Sequence, residues 1–270
     1  DWLHRSVAGS PSQLRIMYGL SGERRLPEWE IDTLAGYAGS RPVRIGNAAS
    51  DQVQLDVFGE VMEALYFARV DGLAAAQGSW ALQTNLILHL EKIWEQPDEG
   101  IWEMRSGRQQ FTFSKVMAWR AMDCAIRTAE EFGMKAPLER WREVRQRIHD
   151  TVCAQGFDTG RNSFVQAFGS PHVDASLLML PLVSFLPADD PRMIGTVAAI
   201  EQDLLRGGLV LRYDSHEATD ALPPGEGAFL PCSFWLADNY ALQGRMDEAR
   251  ALFDRLVGLC NDVGLLAEEY

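Results

Sequence analysis

The stretch SKVMAWRAMDCAIRTAEEFGMKAPLERWREVRQRIHDTV, residues 114–152, holds two helical segments of opposite character joined by a short turn. In the first, Val116, Met117, Trp119, Met122, Cys124 and Ile126 leave almost no face without an apolar residue. A helix apolar all round is buried on every side. In the second, Leu138, Trp141, Val144, Ile148 and Val152 recur at steps of three and four, with Glu, Arg and Gln between them. That spacing makes one apolar stripe against a core and one wet face.

The pair repeats along the chain. Residues 174–186 (Leu177, Leu178, Met179, Leu180) and 229–243 (Phe229, Leu230, Phe234, Trp235, Leu236) are apolar on most sides. Met193, Val197, Ile200 and Leu204 form a stripe after the one, and Met246, Ala249, Leu252, Phe253, Leu256 and Val257 after the other; Leu82, Leu86, Leu90 and Ile93 repeat it less cleanly. The buried-type segments begin near residues 52, 114, 174 and 229, a period of roughly 55 to 60 residues. Alternating buried and half-buried helices predict an all-α chain in which an inner ring is wrapped by an outer one, an (α/α) toroid with four hairpins present. The plainer alternative is an irregular helical domain. Pro181 predicts a kink or an early end in its helix, because proline lacks the donor that an interior turn needs.

Connections from buried to striped segments are short (Gly133 to Ala136, Pro187 to Asp190, Gly244-Arg245), whereas the return connections are long. In an up-and-down hairpin array the long ones share one end, so Arg41 to Asp51, Pro97 to Phe113, Gly156 to Val173, Gly207 to Ala228 and Asn261 to Tyr270 are expected to line one funnel. Long loops in a compact domain are usually functional.

The formal charge of −13, from 38 acidic and 25 basic residues, and the lack of a Lys/Arg-rich run oppose nucleic-acid binding, which needs clustered cations. No apolar run approaches the roughly 18 residues of a membrane span. The start at Asp1-Trp2-Leu3-His4 has neither Met nor the pattern of a signal peptide and reads as the tail of a helix already under way. An excised segment truncated at both ends, a single partial domain over 1–270, and a cytoplasmic location are the expectations. Cys124, Cys153, Cys232 and Cys260 are widely spaced within apolar helical stretches and are expected to be buried free thiols. His89, His149, His172 and His216 do not sit with cysteines at zinc spacing. No metal and no cofactor are expected.

Two acidic stretches fall in the long loops. In Asp98-Glu99-Gly100-Ile101-Trp102-Glu103-Met104-Arg105 an indole adjoins a carboxyl group, an arrangement suited to a general acid, since an apolar wall keeps a proton on the carboxyl. By spacing alone, a solvated acidic loop whose Trp merely packs is the favoured reading. Asn261-Asp262-Val263-Gly264-Leu265-Leu266-Ala267-Glu268-Glu269-Tyr270 is, taken alone, a helix end with an acidic tail. Together they supply two carboxylates from different hairpins at one face, the requirement of glycoside hydrolysis.

Pro42-Val43-Arg44-Ile45-Gly46-Asn47-Ala48-Ala49, followed by Gln52, Gln54, Asp56, Gly59 and Glu60, resembles glycoside hydrolase family 15, the family of glucoamylases, glucodextranases and a branch of trehalases. So do Asp98 to Glu103, Phe111-Thr112 with Ser114-Lys115, Leu209 to Tyr213, Glu226-Gly227-Ala228-Phe229 and Asn261 to Glu269. The resemblance implies an (α/α)6 catalytic toroid, incomplete in this chain, with Glu103 as general acid and Glu268 as base; Glu269 remains the alternative base. It implies that Arg212, followed by Tyr213, holds the sugar at the cleavage point and that Trp102 forms a platform under a ring. Arg44 is a weaker sugar contact with a structural ion pair as the competing role, and Arg105 and Glu226 stand equally between brace and ligand. The family's early Arg-and-Asp sugar-binding segment and its N-terminal β-sandwich have no counterpart in these residues. The implied activity is inverting cleavage of α-glucosidic bonds in trehalose, malto-oligosaccharides or α-glucans, releasing glucose from a non-reducing end, with a slight preference for trehalose. The rival is a non-catalytic glucoamylase-like binding or regulatory domain. A small oligosaccharide or α-glucan is the expected partner; nucleic acid and membrane are not, and oligomeric state is left open.

Overall fold

A computed structural model describes residues 2–6, 9–73, 77–104, 107–214 and 227–270. Arg105, His216 and Glu226 lie outside the described residues. After a short helix α1 (Trp2–Ser6) and the two-residue strands β1 (Trp29–Glu30) and β2 (Arg44–Ile45), helices alternate as the sequence pattern predicts. The inner set is α2 (Asp56–Val70), α4 (Thr112–Glu131), a 3-10 turn (Ala175–Leu178) running into the one-turn α6 (Met179–Leu182), and α8 (Leu230–Leu242). The outer set is α3 (Gln77–Ile93), α5 (Leu138–Gln155), α7 (Pro191–Leu204) and α9 (Met246–Val257). Antiparallel strand pairs β3 (Phe157–Asp158) with β4 (Ser163–Phe164) and β5 (Leu205–Arg206) with β6 (Leu209–Val210) decorate the return loops.

Helix α4 is the centre of the arc: it packs on α2, α5 and α6, and every residue from Thr112 to Ile126 is buried. Two charged residues within that stretch are buried with partners, Arg120 with Glu63 at 2.6 Å and Asp123 with Arg145 at 2.5 Å. Outer helix α5 buries Trp141, Val144, Ile148 and Val152 alone, the stripe that periodicity defines. The expectation that 229–243 is buried on every side is corrected. Phe234 and Trp235 are half-buried and Leu242 is 55% exposed; α8 packs chiefly on α9, with the 3-10 turn at Ala175–Leu178 and α6 as further helical neighbours. Pro181 brings an early end, leaving one helical turn.

Each inner helix closes in the same way at the end remote from the long loops. Gly72, Gly133, Ser184 and Gly244 all take positive φ, between 62° and 78°, and the residue after each donates its N–H to a carbonyl that the helix end leaves open. The bonds Leu73 N to Ala68 O, Met134 N to Ala129 O, Phe185 N to Leu180 O and Arg245 N to Tyr240 O run from 2.8 to 3.0 Å. Glycine is the residue that reaches this region without a Cβ penalty; the third hairpin uses serine. All four cysteines are free, with Cys124 and Cys232 buried and Cys153 and Cys260 half-buried. Among the described residues no helix is long and apolar enough to cross a membrane.

Candidate active site

The long loops are joined into one layer at the opposite end. Gln52 Nε2 donates to Glu103 O at 3.1 Å and Met104 O at 3.4 Å. Phe168 N donates to Gln110 O at 3.0 Å, Ala175 N to Arg212 O at 2.8 Å, and Leu230 N to Glu268 O at 3.0 Å. Five stretches far apart in the chain therefore face one another.

The Trp102-Glu103 loop is fastened from below. Asp98 is fully buried, exchanges backbone bonds with Gln109, and its Oδ2 accepts the Leu55 N–H at 2.8 Å. Glu99 accepts from Val53 N at 2.8 Å and from Arg108 Nε at 2.9 Å. Gly100, at φ +72°, leaves room for Phe111: a Cβ there would lie 2.8 Å from the ring. Glu103 itself sits in the left-handed region at φ +56°, which costs an L-residue about 1–2 kcal/mol and is held by the Gln52 bonds above. Gln54 in turn donates to Gln52 Oε1 at 3.1 Å. Gln52, Gln54 and Asp98 thus act as the frame of the acidic loop.

Trp102 stands in an aromatic wall with Tyr213, Phe229 and Trp235, at centroid distances of 6.4, 6.0 and 6.2 Å. Its Nε1 donates to Asp174 Oδ2 at 3.2 Å. Asp174 is fully buried, and burial pushes its carboxyl up to about 6 against the opposing donors Ser176, Gln166 and Trp102. Burial, reinforced by the Asp174 charge and opposed by Arg212, also raises the Cys232 thiol. The Arg212 guanidinium lies 5.8 Å from the Phe229 ring centre and 3.2 Å from Glu269 Oε1.

The chain end is an ordered loop. Asn261 Oδ1 accepts from Val263 N and Leu265 N, and Gly264 turns at φ +77°. Residues 268–270 then lie as a strand against 228–230, with Ala228 and Tyr270 exchanging bonds at 2.9 and 3.0 Å. Glu268 and Glu269 are both exposed. An aromatic wall, a guanidinium and carboxylates at a shared rim form a surface fit for hydroxyl-rich rings, whose faces are apolar and whose edges are polar.

Residues 1–269 match the profile of Glycosyl hydrolases family 15. The chain belongs to that family. A trehalase of Thermoplasma acidophilum is 38% identical over 263 residues, covering 97% of this chain and 45% of the relative. A trehalase of Mycolicibacterium smegmatis is 41% identical over 261 residues, covering 97% and 39%. The chain spans less than half the length of these two relatives. Among solved structures, a bacterial glucoamylase complexed with acarbose superposes at a TM-score of 0.70 over 100% of this chain and 40% of that chain, at 14% identity. A wild-type glycosidase does so at 0.71 over 86% and 62%, at 23% identity. At such identities the likeness speaks for the fold alone, and the fold is an (α/α)6 toroid of which these hairpins are a part.

Within this family-15 layer the structure brings Trp102, Arg212, Tyr213 and Glu269 into one network, with Glu103 and Glu268 as their chain neighbours. Arg44 stands apart from it on β2, exposed and ion-paired with Glu28 at 3.7 Å and Glu30 at 3.5 Å. His172 lines a cavity of about 250 Å³ with Arg161, Asp203, Arg206 and Asp214. Asp174, Phe229 and Trp235 were not singled out as site residues from sequence. The aromatic pair read as helix core, and Asp174 carried one signal, an Asp two residues before a Ser at a helix start. Among the described residues no group of three or more His, Cys, Asp or Glu is placed to hold a metal ion.

Proposed function

We propose that this chain carries the two catalytic carboxylates of an inverting hydrolase of α-glucosidic bonds, with Glu103 as acid and Glu268 as base. The observation that carries the reading is the terminal strand: its pairing with Ala228 to Leu230 sets Glu269 on Arg212, and Tyr213 packs against Trp102, the neighbour of Glu103. With Glu269 committed to the arginine, Glu268 is left to act on water. The Glu103 proton passes to the glycosidic oxygen as the bond to the anomeric carbon breaks, while the Glu268 carboxylate takes a proton from water attacking the opposite face. Trp102 and Tyr213 present ring faces to the sugar, and Arg212 presents paired donors to its hydroxyls. Arg44 braces the first loop through Glu28 and Glu30 and reaches sugar only if those pairs open.

Trehalose is the favoured substrate within the α-glucosides, since the relatives above are trehalases. The unit is a single partial catalytic domain, supported by one continuous core from Leu55 to Ala249. Four free thiols fit the reducing cytoplasm. The test is a panel of trehalose, maltose, maltotriose, isomaltose and starch given to the intact protein and to Glu103→Gln. Turnover of trehalose that falls by at least 10²-fold in the variant, with sugar binding retained, is expected of a lost general acid, which contributes about 10²–10⁴-fold. An intact protein that binds these sugars and cleaves none is the binding-domain alternative.

A further inference from the structure

Asp174 does more than cap its helical turn. It is 2% exposed, and its two oxygens point in different directions. Oδ1 accepts the Ser176 N–H at 2.9 Å and the Ser176 hydroxyl, which completes the cap. Oδ2 accepts the Trp102 indole N–H at 3.2 Å from a loop 72 residues away, and Gln166 supplies a further side-chain bond. The next residue, Ala175, donates its N–H to the Arg212 carbonyl at 2.8 Å. The Asp174-Ala175 pair therefore touches the loop of the acid, the loop carrying Gln166, and the strand end that carries Arg212.

A cap needs one acceptor oxygen, and Asn serves there as well as Asp. The second oxygen is buried, so without a donor it would cost the full desolvation of a charged atom. The indole fills that need, and the indole's neighbour in the chain is Glu103, at φ +56° in the same tight loop. We propose that Asp174 is a positioning residue for hydrolysis, holding the Trp102 indole so that Glu103 and Arg212 keep a common spacing at the scissile bond. This rests on the reading of Glu103 as acid and Arg212 as sugar contact.

Asp174→Asn separates the two duties, since its amide oxygen can keep the cap while its NH₂ then meets the indole N–H as a second donor. In the intact protein, kcat on the cleaved sugar is expected to fall about 10- to 100-fold, the scale of a small misplacement of reacting groups, with KM changed less than about threefold. In ¹⁵N-indole-labelled protein the Trp102 N–H signal, assigned by its loss in Trp102→Phe, is expected to move upfield. On a Trp102→Phe background, Asp174→Asn should cost no more than about twofold further, since coupled residues are not additive. Ser176→Ala weakens the cap and spares the indole bond, so kcat should stay near wild type. A kcat within about twofold of wild type for Asp174→Asn, or losses that multiply in the double variant, overturns the proposal. Should Asp174→Asn not fold, Trp102→Phe against Ser176→Ala decides: a tenfold or greater loss of kcat in the first alone supports it, and unchanged kcat in the first overturns it. Glu103→Gln run alongside separates the two readings. An inactive Glu103→Gln with a near-normal Asp174→Asn removes the positioning role alone, whereas a fully active Glu103→Gln removes the acid assignment.

Discussion

Asp56→Asn should leave the protein about as stable as the native chain near pH 4 and progressively more stable than it up to about pH 8. Asp56 opens α2 at 6% exposure, and one of its oxygens, like one of Asp98, has no hydrogen-bond partner. Burial, then the charges of Asp98 and Glu60, push its carboxyl from the ordinary 3.8 up to about 8, against weak opposition from the first backbone N–H groups of the helix. Burial raises the Asp98 carboxyl as well, opposed by the Leu55 N–H, Ser114 and Lys115, and burial pulls Lys115 itself down to about 8. Asp56 is therefore protonated in the folded protein at neutral pH and ionised in the unfolded chain. Because the folded state binds the extra proton, native stability is fully present below about pH 4 and is lost as the pH rises through about 8. At about 1.4 kcal/mol per unit, a shift of this size is worth at most about 6 kcal/mol. Asparagine cannot ionise, so the variant loses nothing as the pH rises. Melting curves of both proteins from pH 4 to 8.5 read the effect directly. A 3 kcal/mol gap corresponds to about 6–12 °C in Tm for a domain of this size class. Parallel Tm curves, or a native chain that gains on the variant at high pH, would refute the assignment of a buried neutral carboxyl.

Three further outcomes follow from particular geometries. Arg212→Lys keeps the charge and loses the planar fork, so kcat/KM should fall about 10- to 100-fold, as for a charged hydrogen bond of about 1.5–3 kcal/mol; unaltered kinetics would make Arg212 a brace for Glu269. Ser184→Gly should raise stability by about 0.5–1 kcal/mol by relieving the one non-glycine residue among the four inner-helix caps, with no loss of packing because Ser184 is exposed; an unchanged or lower Tm would count against the strain. With acid and base on opposite faces of the sugar, the first product seen by proton NMR should be β-glucose, and initial α-glucose would sink the pairing of Glu103 with Glu268.

Much of the architecture was legible in periodicity. The α5 stripe of Trp141, Val144, Ile148 and Val152 and the all-round apolar α4 need only local spacing to be recognised, because burial of a helix is set by which of its faces are apolar. Pro181 marked a short helix for an equally local reason, its missing donor. Loop lengths alone placed the two acidic stretches at one end. The burial of α8 was misjudged because the number of neighbours around a helix is not written in that helix; its side chains are apolar whether or not another helix covers them.

The site was decided by contacts between distant segments. Glu103 and Glu268 stood out by composition and family resemblance, but composition could not say that Glu268 to Tyr270 pairs with Ala228 to Leu230, that Glu269 belongs to Arg212, or that Arg44 belongs to Glu28 and Glu30. Asp174 is the clearest case: in sequence it is a helix cap, and its second oxygen acquires a purpose only when folding brings an indole from 72 residues away within 3.2 Å. Helix class and hairpin order follow from local patterns of apolar side chains. Which polar groups meet depends on the packing of whole hairpins, and hydrogen bonds act only across the few ångströms that this packing leaves between them.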